Sequence, residues 1–178
     1  MERRKYVYKL LPLTLVLLAA WLRLWQLNTI PPGFWFDEGH NAMDGMRIGE
    51  TNSWPVFVEG NQGQEPLFKY LLALATTVFG ETIYSVRVVS AFLGTLSVAL
   101  IYRWLLALFG SEARARGLAQ LGMAGLATSF VYLVMTRVGY RANTLLPLLL
   151  LVYYLFWRGW QTGKIYFYLL AGAGLGLS

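Results

Sequence analysis

The sequence predicts an all-α integral membrane protein with about five transmembrane helices, plus interfacial helices in the first extracytoplasmic loop. The first observation is composition: 57% of the residues are hydrophobic and 13% are charged, which is typical of a membrane protein rather than a soluble domain. The second is a series of hydrophobic segments long enough to cross a bilayer. The third is a polar, aromatic-rich loop between the first two segments, which suits the membrane surface.

Five hydrophobic segments are long enough, or begin strongly enough, to form the spans: residues 8–27, 84–106, 118–136, 142–157 and 165–178. The first follows a basic stretch, as in a signal peptide. Bulky Trp21 and Leu22 follow Ala19 and Ala20, however, so no small-residue cleavage pattern is present and we interpret the segment as an uncleaved anchor. We expect residues 1–178 to form a single, incomplete membrane domain, because the fifth span runs unfinished to the last residue.

A sixth apolar segment, Pro66 to Phe79, is only fourteen residues long and contains Lys69, which is short for a span. If it does not cross, nine Lys and Arg residues lie on the side of the N-terminus and five on the other; if it crosses, the count is seven against seven. The positive-inside rule therefore favours an interfacial segment, a cytoplasmic N-terminus and an extracytoplasmic loop over residues 28–83. The expected location is the inner (plasma) membrane, as a multi-pass protein.

The loop contains two adjacent carboxylates, Asp37 and Glu38, about ten residues beyond the first span and directly after the aromatic residues 34–36. Ionised carboxylates avoid hydrocarbon, and large aromatic rings collect at headgroup level. The pair is therefore expected where a lipid headgroup meets a water-borne acceptor, and one such carboxylate suffices for a general base. The alternative is that the pair only caps the first turn of a helix over residues 39–48.

Three arginines, Arg87, Arg137 and Arg141, are expected on the same outer side of the membrane. A guanidinium fork matches a phosphate in a bidentate way and keeps its charge, which suits a lipid-phosphate leaving group. Alternatively, these arginines extend to ordinary phospholipid headgroups or pair with the acidic loop. We interpret Arg23, near the outer end of the first span, as a residue that snorkels to the interface.

The residue inventory excludes several kinds of site. The chain has no cysteine and a single histidine, His40, so thiolate sites and histidine clusters for metals are excluded. We predict no metal site and no required cofactor, although a carboxylate site for a hard divalent cation stays open. The formal net charge of +6 is attributed to topology and membrane-lipid contacts, and no nucleic-acid partner is expected because no basic run with interleaved aromatic residues occurs.

Three motifs in sequence order resemble a known family: Phe36-Asp37-Glu38, the stretch Gln64 to Leu71, and the stretch Tyr84 to Ala91 running into Gly94. Together they resemble the N-terminal part of C-type membrane glycosyltransferases, in particular glycosyltransferase family 39, which includes protein O-mannosyltransferases and the related aminoarabinose transferases of lipid A. The resemblance covers about residues 6–160. It implies inverting transfer of a sugar from a polyprenyl-phosphate donor to an acceptor on the extracytoplasmic face.

The resemblance also implies roles for single residues. Asp37 matches the family's first-loop catalytic carboxylate, which accepts the proton of the acceptor hydroxyl, and Glu38 matches its acidic neighbour. Arg87 matches the arginine that opens the second span. Glu65 lies at the acidic position that some members have before a Pro-Pro-Leu-like motif, which is shortened here to the single Pro66.

The stretch Arg137 to Asn143 resembles a motif of two arginines followed by an aspartate. Here the two arginines, Arg137 and Arg141, are one residue further apart, and Asn143 occupies the place of the acid. Asparagine can bond a substrate but cannot act as a base. The predicted set of substrate and lipid-phosphate ligands is therefore Arg87, Arg137, Arg141, Glu65 and Asn143.

Two functions of different class stay open. The first is a polytopic glycosyltransferase-like enzyme that uses a polyprenyl-phosphate sugar. The second is a non-catalytic accessory or scaffold subunit of a larger membrane assembly, such as a respiratory or photosynthetic complex. No predicted span contains histidine, so a chlorophyll-type pigment would need another axial ligand. Co-isolation with such a complex in fixed ratio would favour the second.

Overall fold

The computed structural model describes residues 2–59 and 63–177, and of residues 2–9 the backbone alone. Within this part of the chain all regular elements are helical, which confirms the all-α fold class; Val58 and Gln64 form an isolated bridge. The α-helices are α1 (Glu2–Leu24), α2 (Phe36–Thr51), α3 (Leu67–Phe79), α4 (Ile83–Phe109), α5 (Ala113–Thr128), α6 (Phe130–Met135), α7 (Leu145–Thr162) and α8 (Ile165–Gly176), with a short 3-10 helix at Arg141–Thr144.

The longest helix, α4, contains the predicted span 84–106. It begins after Thr82, whose hydroxyl accepts a hydrogen bond from the Ser85 amide at 3.2 Å, and it ends before Gly110, whose φ of +89° suits glycine. Among the described residues α4 is the one helix that is both long and apolar enough to cross a membrane by itself. Helices α1, α7 and α8 overlap the predicted spans 8–27, 142–157 and 165–178, of which Ser178 lies outside the described residues. The number of spans stays a prediction.

The third predicted span, 118–136, consists of two helices with a break at Ser129. The backbone of Ser129 leaves the helical region (φ −55°, ψ 114°), and its hydroxyl accepts a hydrogen bond from the Tyr132 amide at the start of α6. A helix that ends leaves its last carbonyls without amide donors. Those of Leu126 and Ala127 accept hydrogen bonds from the guanidinium of Arg23, at 3.4 and 3.5 Å. If the predicted span 118–136 crosses the bilayer, its irregular backbone at Ser129 requires such a partner inside the protein.

Arg23 is fully buried, so its interpretation as a snorkelling residue was wrong. Its Nε donates to Thr136 Oγ1 at 3.0 Å and its Nη1 donates to the Ala19 carbonyl at 3.1 Å. Its guanidinium carbon also lies 5.4 Å from the centre of the Tyr132 ring. The broken helix explains the burial, because it offers this arginine several acceptors that a continuous helix would have used itself.

Helix α3 packs between α2 and α4 through a buried apolar face. The cluster at this contact consists of Ala42, Phe68, Leu72, Ala75, Val86, Val89 and Leu93. Gly45 of α2 permits the close approach, since a Cβ built there would lie 2.7 Å from Leu72 Cβ. The 13 residues of α3 extend about 20 Å, less than the ~30 Å of a hydrocarbon core. We retain the interfacial placement of this helix as a prediction.

A second cluster joins α1, α4 and α5 through Ala19, Val98, Met123 and Ala127. The small residues let these helices lie close together, which fixes the relation between α1 and α4. At the end of this bundle where α4 begins, the loop 25–35, the first turn of α2 and the segment 136–144 come together. The predicted site residues lie there.

Candidate active site

Glu38, the third residue of α2, is almost fully buried and saturated with hydrogen bonds. It accepts from Arg87 Nε at 2.9 Å and from Arg87 Nη2 at 3.1 Å, which makes a bidentate ion pair. The backbone amides of Trp35 and Gly139 donate to it at 3.0 and 2.8 Å. A carboxylate has about four acceptor positions, so Glu38 has none left for a substrate. Trp35 is the N-cap residue of α2, and Glu38 at the third helical position accepts a hydrogen bond from its backbone amide. Glu38 therefore has the helix-capping role that was the alternative interpretation of the carboxylate pair.

Arg87 is equally buried, at 1% exposure. Besides the two bonds to Glu38, it donates to the carbonyls of Leu27 at 3.2 Å, Pro31 at 2.9 Å and Gly33 at 2.6 Å. All five N–H groups of the guanidinium are thus engaged. Arg87 attaches the loop before α2 to the start of α4. Binding of a phosphate by Arg87, which stays a prediction, would require one of these bonds to be exchanged.

Arg137 fixes the same loop from the other side. Its two terminal nitrogens donate to four carbonyls, those of Leu22, Arg23, Trp25 and Ile30. Burial lowers the pKa of Arg137 below the ordinary arginine value, and the charge of Arg87 lowers it further. Two buried guanidinium groups, those of Arg87 and Arg137, are therefore close enough to interact, and Arg87 pairs with the buried carboxylate of Glu38. The third buried guanidinium, that of Arg23, contacts the break between α5 and α6 instead.

Asn143 shapes the turn that carries Gly139. Its side-chain nitrogen donates to the carbonyls of Met135 at 2.9 Å and Val138 at 3.1 Å. The backbone of Gly139 is held twice, because its amide donates to Glu38 and its carbonyl accepts from Asn41 Nδ2 at 3.2 Å. A Cβ at Gly139 would overlap Val86, so glycine is required for this close approach.

Asp37 has surroundings opposite to those of Glu38. Its side chain is partly exposed, and among the described residues it forms no hydrogen bond and no ion pair. It lies at the boundary of two cavities, one of about 490 Å³ and one of about 90 Å³, and borders both. Tyr140 borders both cavities as well. Of the two adjacent carboxylates, the one without a protein partner is thus the one that both cavities share.

The larger cavity has mostly apolar walls with a few polar groups. Its lining is Pro31, Pro32, Gly33, Phe34, Trp35, Asp37, Glu38, Arg87, Val134, Met135, Val138 and Tyr140. An apolar cavity of this size with a small set of convergent polar groups is the usual form of a small-molecule site.

The smaller cavity is polar, with Asp37, His40, Asn41, Gln64, Tyr140 and Arg141 around it. Arg141 pairs with Glu65 at 2.7 Å, and both side chains are more than a third exposed. No other hydrogen bond of the Arg141 side chain occurs among the described residues. The side-chain oxygen of Gln64 is buried without a partner in that part of the chain, so it has capacity for a ligand hydrogen bond.

All seven predicted site residues therefore lie in one region, although their roles stay predictions. The sequence reasoning missed Asn41, Gln64 and Gly139, whose positions depend on tertiary contacts. It also missed the ion pair between partly exposed Asp44 and fully buried Lys69, for which Lys69 in an otherwise apolar segment was the available signal. Within residues 2–59 and 63–177, no group of three or more acidic or histidine side chains is arranged to hold a metal ion.

Comparison with protein families gives a match over residues 63–178 to the family described as dolichyl-phosphate-mannose-protein mannosyltransferase. The matched region includes Glu65, Arg87, Arg137, Arg141 and Asn143 and begins after α2. Asp37 and Glu38 therefore lie outside it. No curated protein matches the chain, and no solved structure matches it.

Proposed function

The chain belongs to the dolichyl-phosphate-mannose-protein mannosyltransferase family, and on this premise we propose that it transfers a sugar from a polyprenyl-phosphate donor to a hydroxyl acceptor, with Asp37 as the base. Membership confirms the resemblance to glycosyltransferase family 39 and supports a membrane glycosyltransferase-like function. The observation that carries the proposal is the unpartnered Asp37 carboxylate between two cavities of different character.

The larger cavity is the proposed donor site. Its apolar walls suit the first isoprene units of a lipid, and its volume of about 490 Å³ suits a sugar phosphate with a short part of that lipid. Arg87 borders this cavity, and a second buried guanidinium, that of Arg137, lies close enough to interact with the charge of Arg87. Fixed cations in a poorly solvated region favour an anionic phosphate, both in the donor and as the leaving group.

The smaller, polar cavity is the proposed acceptor site. In the proposed step the acceptor oxygen attacks the anomeric carbon, the bond from that carbon to the phosphate oxygen breaks, and Asp37 takes the hydroxyl proton. The lipid phosphate leaves with its negative charge. Glu38 also borders the larger cavity, but its four hydrogen bonds leave it no free acceptor position. One available carboxylate supports a direct, inverting displacement rather than a covalent sugar intermediate.

Substitution of Asp37 by asparagine tests the base directly. Loss of a positioned general base costs about a hundredfold to ten-thousandfold in rate, whereas Asp and Asn are nearly equal as helix caps. We therefore expect Asp37→Asn to abolish sugar transfer from a defined polyprenyl-phosphate donor at unchanged thermal stability. Glu50→Gln, an exposed acid at the far end of α2, is the matched control and should keep full activity.

Two results would contradict this proposal. Full activity in Asp37→Asn would remove Asp37 as the base. Absence of transfer by the unmodified protein over a range of donors and acceptors would favour the accessory or scaffold subunit instead.

The proposed topology places residues 28–83 outside the cell, with α3 at the interface and α4 crossing the membrane. Glu81 and Ser111 are exposed and flank α4, and the chain has no cysteine, so single cysteines report cleanly. In intact cells we expect Glu81→Cys to react with a membrane-impermeant thiol reagent and Ser111→Cys to react only after permeabilisation. The reverse pattern would invert the orientation, and equal labelling of both would rule out a crossing by α4.

A further inference from the structure

Helix α2 carries a row of ionisable side chains that starts at Asp37. His40 follows one turn later and borders the same small cavity, because residues three apart on a helix lie on one face. Asp44 follows after another turn, with its Oδ2 3.5 Å from His40 Nε2. Along this face of α2, His40 thus stands between the proposed base and a second carboxylate.

Lys69 of α3 pairs with Asp44, the last residue of this row. It is fully buried, and its Nζ lies 2.6 Å from Asp44 Oδ2. A buried ammonium is strongly destabilising without a carboxylate beside it, so this pair holds Asp44 in place. The close α2–α3 contact at Gly45 brings the two partners together.

The side chains around the small cavity differ in their capacity to accept a proton. His40 Nε2 lies within ion-pair range of Asp44 but makes no hydrogen bond to it, and a neutral imidazole has a lone pair on whichever ring nitrogen lacks the proton. The cavity also borders Arg141, but a guanidinium has no lone pair to offer. Of the cationic and imidazole side chains at the cavity, His40 is therefore the one with a lone pair to offer.

We propose that His40 takes the proton from Asp37 after each transfer and so restores the base. The proposal rests on the proposed function of Asp37. The O–H bond of the protonated Asp37 carboxyl breaks and an N–H bond forms at the unprotonated ring nitrogen of His40, which leaves an aspartate and an imidazolium. Asp44, 3.5 Å from the ring, stabilises this imidazolium, and the proton then passes from the imidazolium to water. No atom is oxidised or reduced. His40 thus acts through Asp37 and not on the substrate.

Chemical rescue tests this assignment. The variant His40→Ala removes the imidazole and leaves room for one beside Asp37. We expect its kcat to fall by about a hundredfold, with KM for the donor nearly unchanged, and we expect added imidazole to restore kcat in a concentration-dependent way. Asp37→Asn must not be rescued by imidazole. Met43→Ala, an exposed α2 position beside Asp44, is the control and should behave like the unmodified protein.

The outcomes separate the two proposals. If Asp37→Asn is inactive but His40→Ala keeps the kcat of the unmodified protein, the role of His40 is wrong and that of Asp37 stands. If His40→Ala is slow and imidazole does not restore it, His40 is a structural residue, and the proton-transfer role is again wrong. The conservative variant His40→Gln keeps a polar side chain that has no basic nitrogen. A low kcat of this variant at unchanged thermal stability supports the proton-transfer role. If Asp37→Asn is active, both proposals fail together.

Discussion

Asp37 and Glu38 are consecutive residues of one helical turn, yet their surroundings are opposite. Glu38 points into the protein and accepts four N–H groups, while Asp37 borders two cavities and has no protein partner among the described residues. Adjacent side chains on a helix point about 100° apart, so one turn of helix serves both purposes. Saturation with fixed donors makes a carboxylate a structural group, and an unpartnered carboxylate keeps its capacity to accept a proton.

The three predicted phosphate ligands also differ in burial and in hydrogen bonding. Arg87 and Arg137 direct their terminal nitrogens to protein carbonyls and, for Arg87, to Glu38. Arg141 is partly exposed at the small cavity and pairs with Glu65 alone in the described part of the chain. Of the three predicted phosphate ligands, Arg141 can bind an anion with the least rearrangement.

Removing the charge of the buried Glu38 carboxylate should have the largest effect on the free energy of unfolding. Glu38→Gln leaves the Arg87 guanidinium buried without a counter-charge, which typically costs about 3–5 kcal/mol. We expect a large drop in the unfolding free energy in detergent, together with loss of the ordered loop before α2. Glu50→Gln on the same helix should change it by less than about 0.5 kcal/mol. Equal stability of the two variants would contradict the structural role of Glu38.

A smaller loss of unfolding free energy is expected when Asn143 is replaced by the aspartate of the similar family motif. Asn143→Asp removes the nitrogen that donates to the Met135 and Val138 carbonyls and places a charged oxygen beside them. Loss of such buried bonds costs about 1–3 kcal/mol. We expect a lower unfolding free energy and no gain in transfer rate. A faster enzyme of unchanged stability would instead indicate that an acid at this position serves the reaction.

The smallest effect on stability is expected at the exposed pair. Arg141→Lys disturbs an ion pair that is partly exposed, and such pairs contribute about 0–1 kcal/mol. Arg141 borders the smaller cavity and not the donor cavity, so it can hold the donor phosphate only where the two cavities meet at Asp37 and Tyr140. If it does, lysine should still weaken binding of a polyprenyl-phosphate analogue, because it offers a point charge in place of a planar fork. Arg47→Lys, exposed on α2, is the matched control. Equal affinity in all three proteins would remove Arg141 from the site.

The helices could largely be predicted from sequence because their signal is local. The segment 84–106 is continuous and apolar, and α4 contains it. The break at Ser129 could not be predicted, because the polar group that stabilises it, Arg23, lies more than a hundred residues away in the chain. A buried arginine and a snorkelling arginine also look alike in sequence.

The location of the candidate site residues could be predicted from the sequence, but which of them are buried structural groups could not. The predicted topology placed Asp37, Glu38 and the three arginines on the extracytoplasmic side of the membrane. Which carboxylate enters the protein depends on the loop path that Arg87 and Arg137 hold and on the Gly139 amide. These are contacts between residues fifty to a hundred positions apart, which no local pattern encodes. His40 attracted attention only as a lone histidine, since its relation to Lys69 requires the α2–α3 packing.

Two cavities that share Asp37 have a consequence for the kinetics of the proposed reaction. Donor and acceptor would occupy separate spaces at the same time, so both must be bound before either product leaves. Initial rates measured against one substrate at several fixed levels of the other should then give intersecting rather than parallel reciprocal plots. The released lipid phosphate should compete with the donor and not with the acceptor. Parallel plots would indicate that the sugar resides on the protein between two half-reactions.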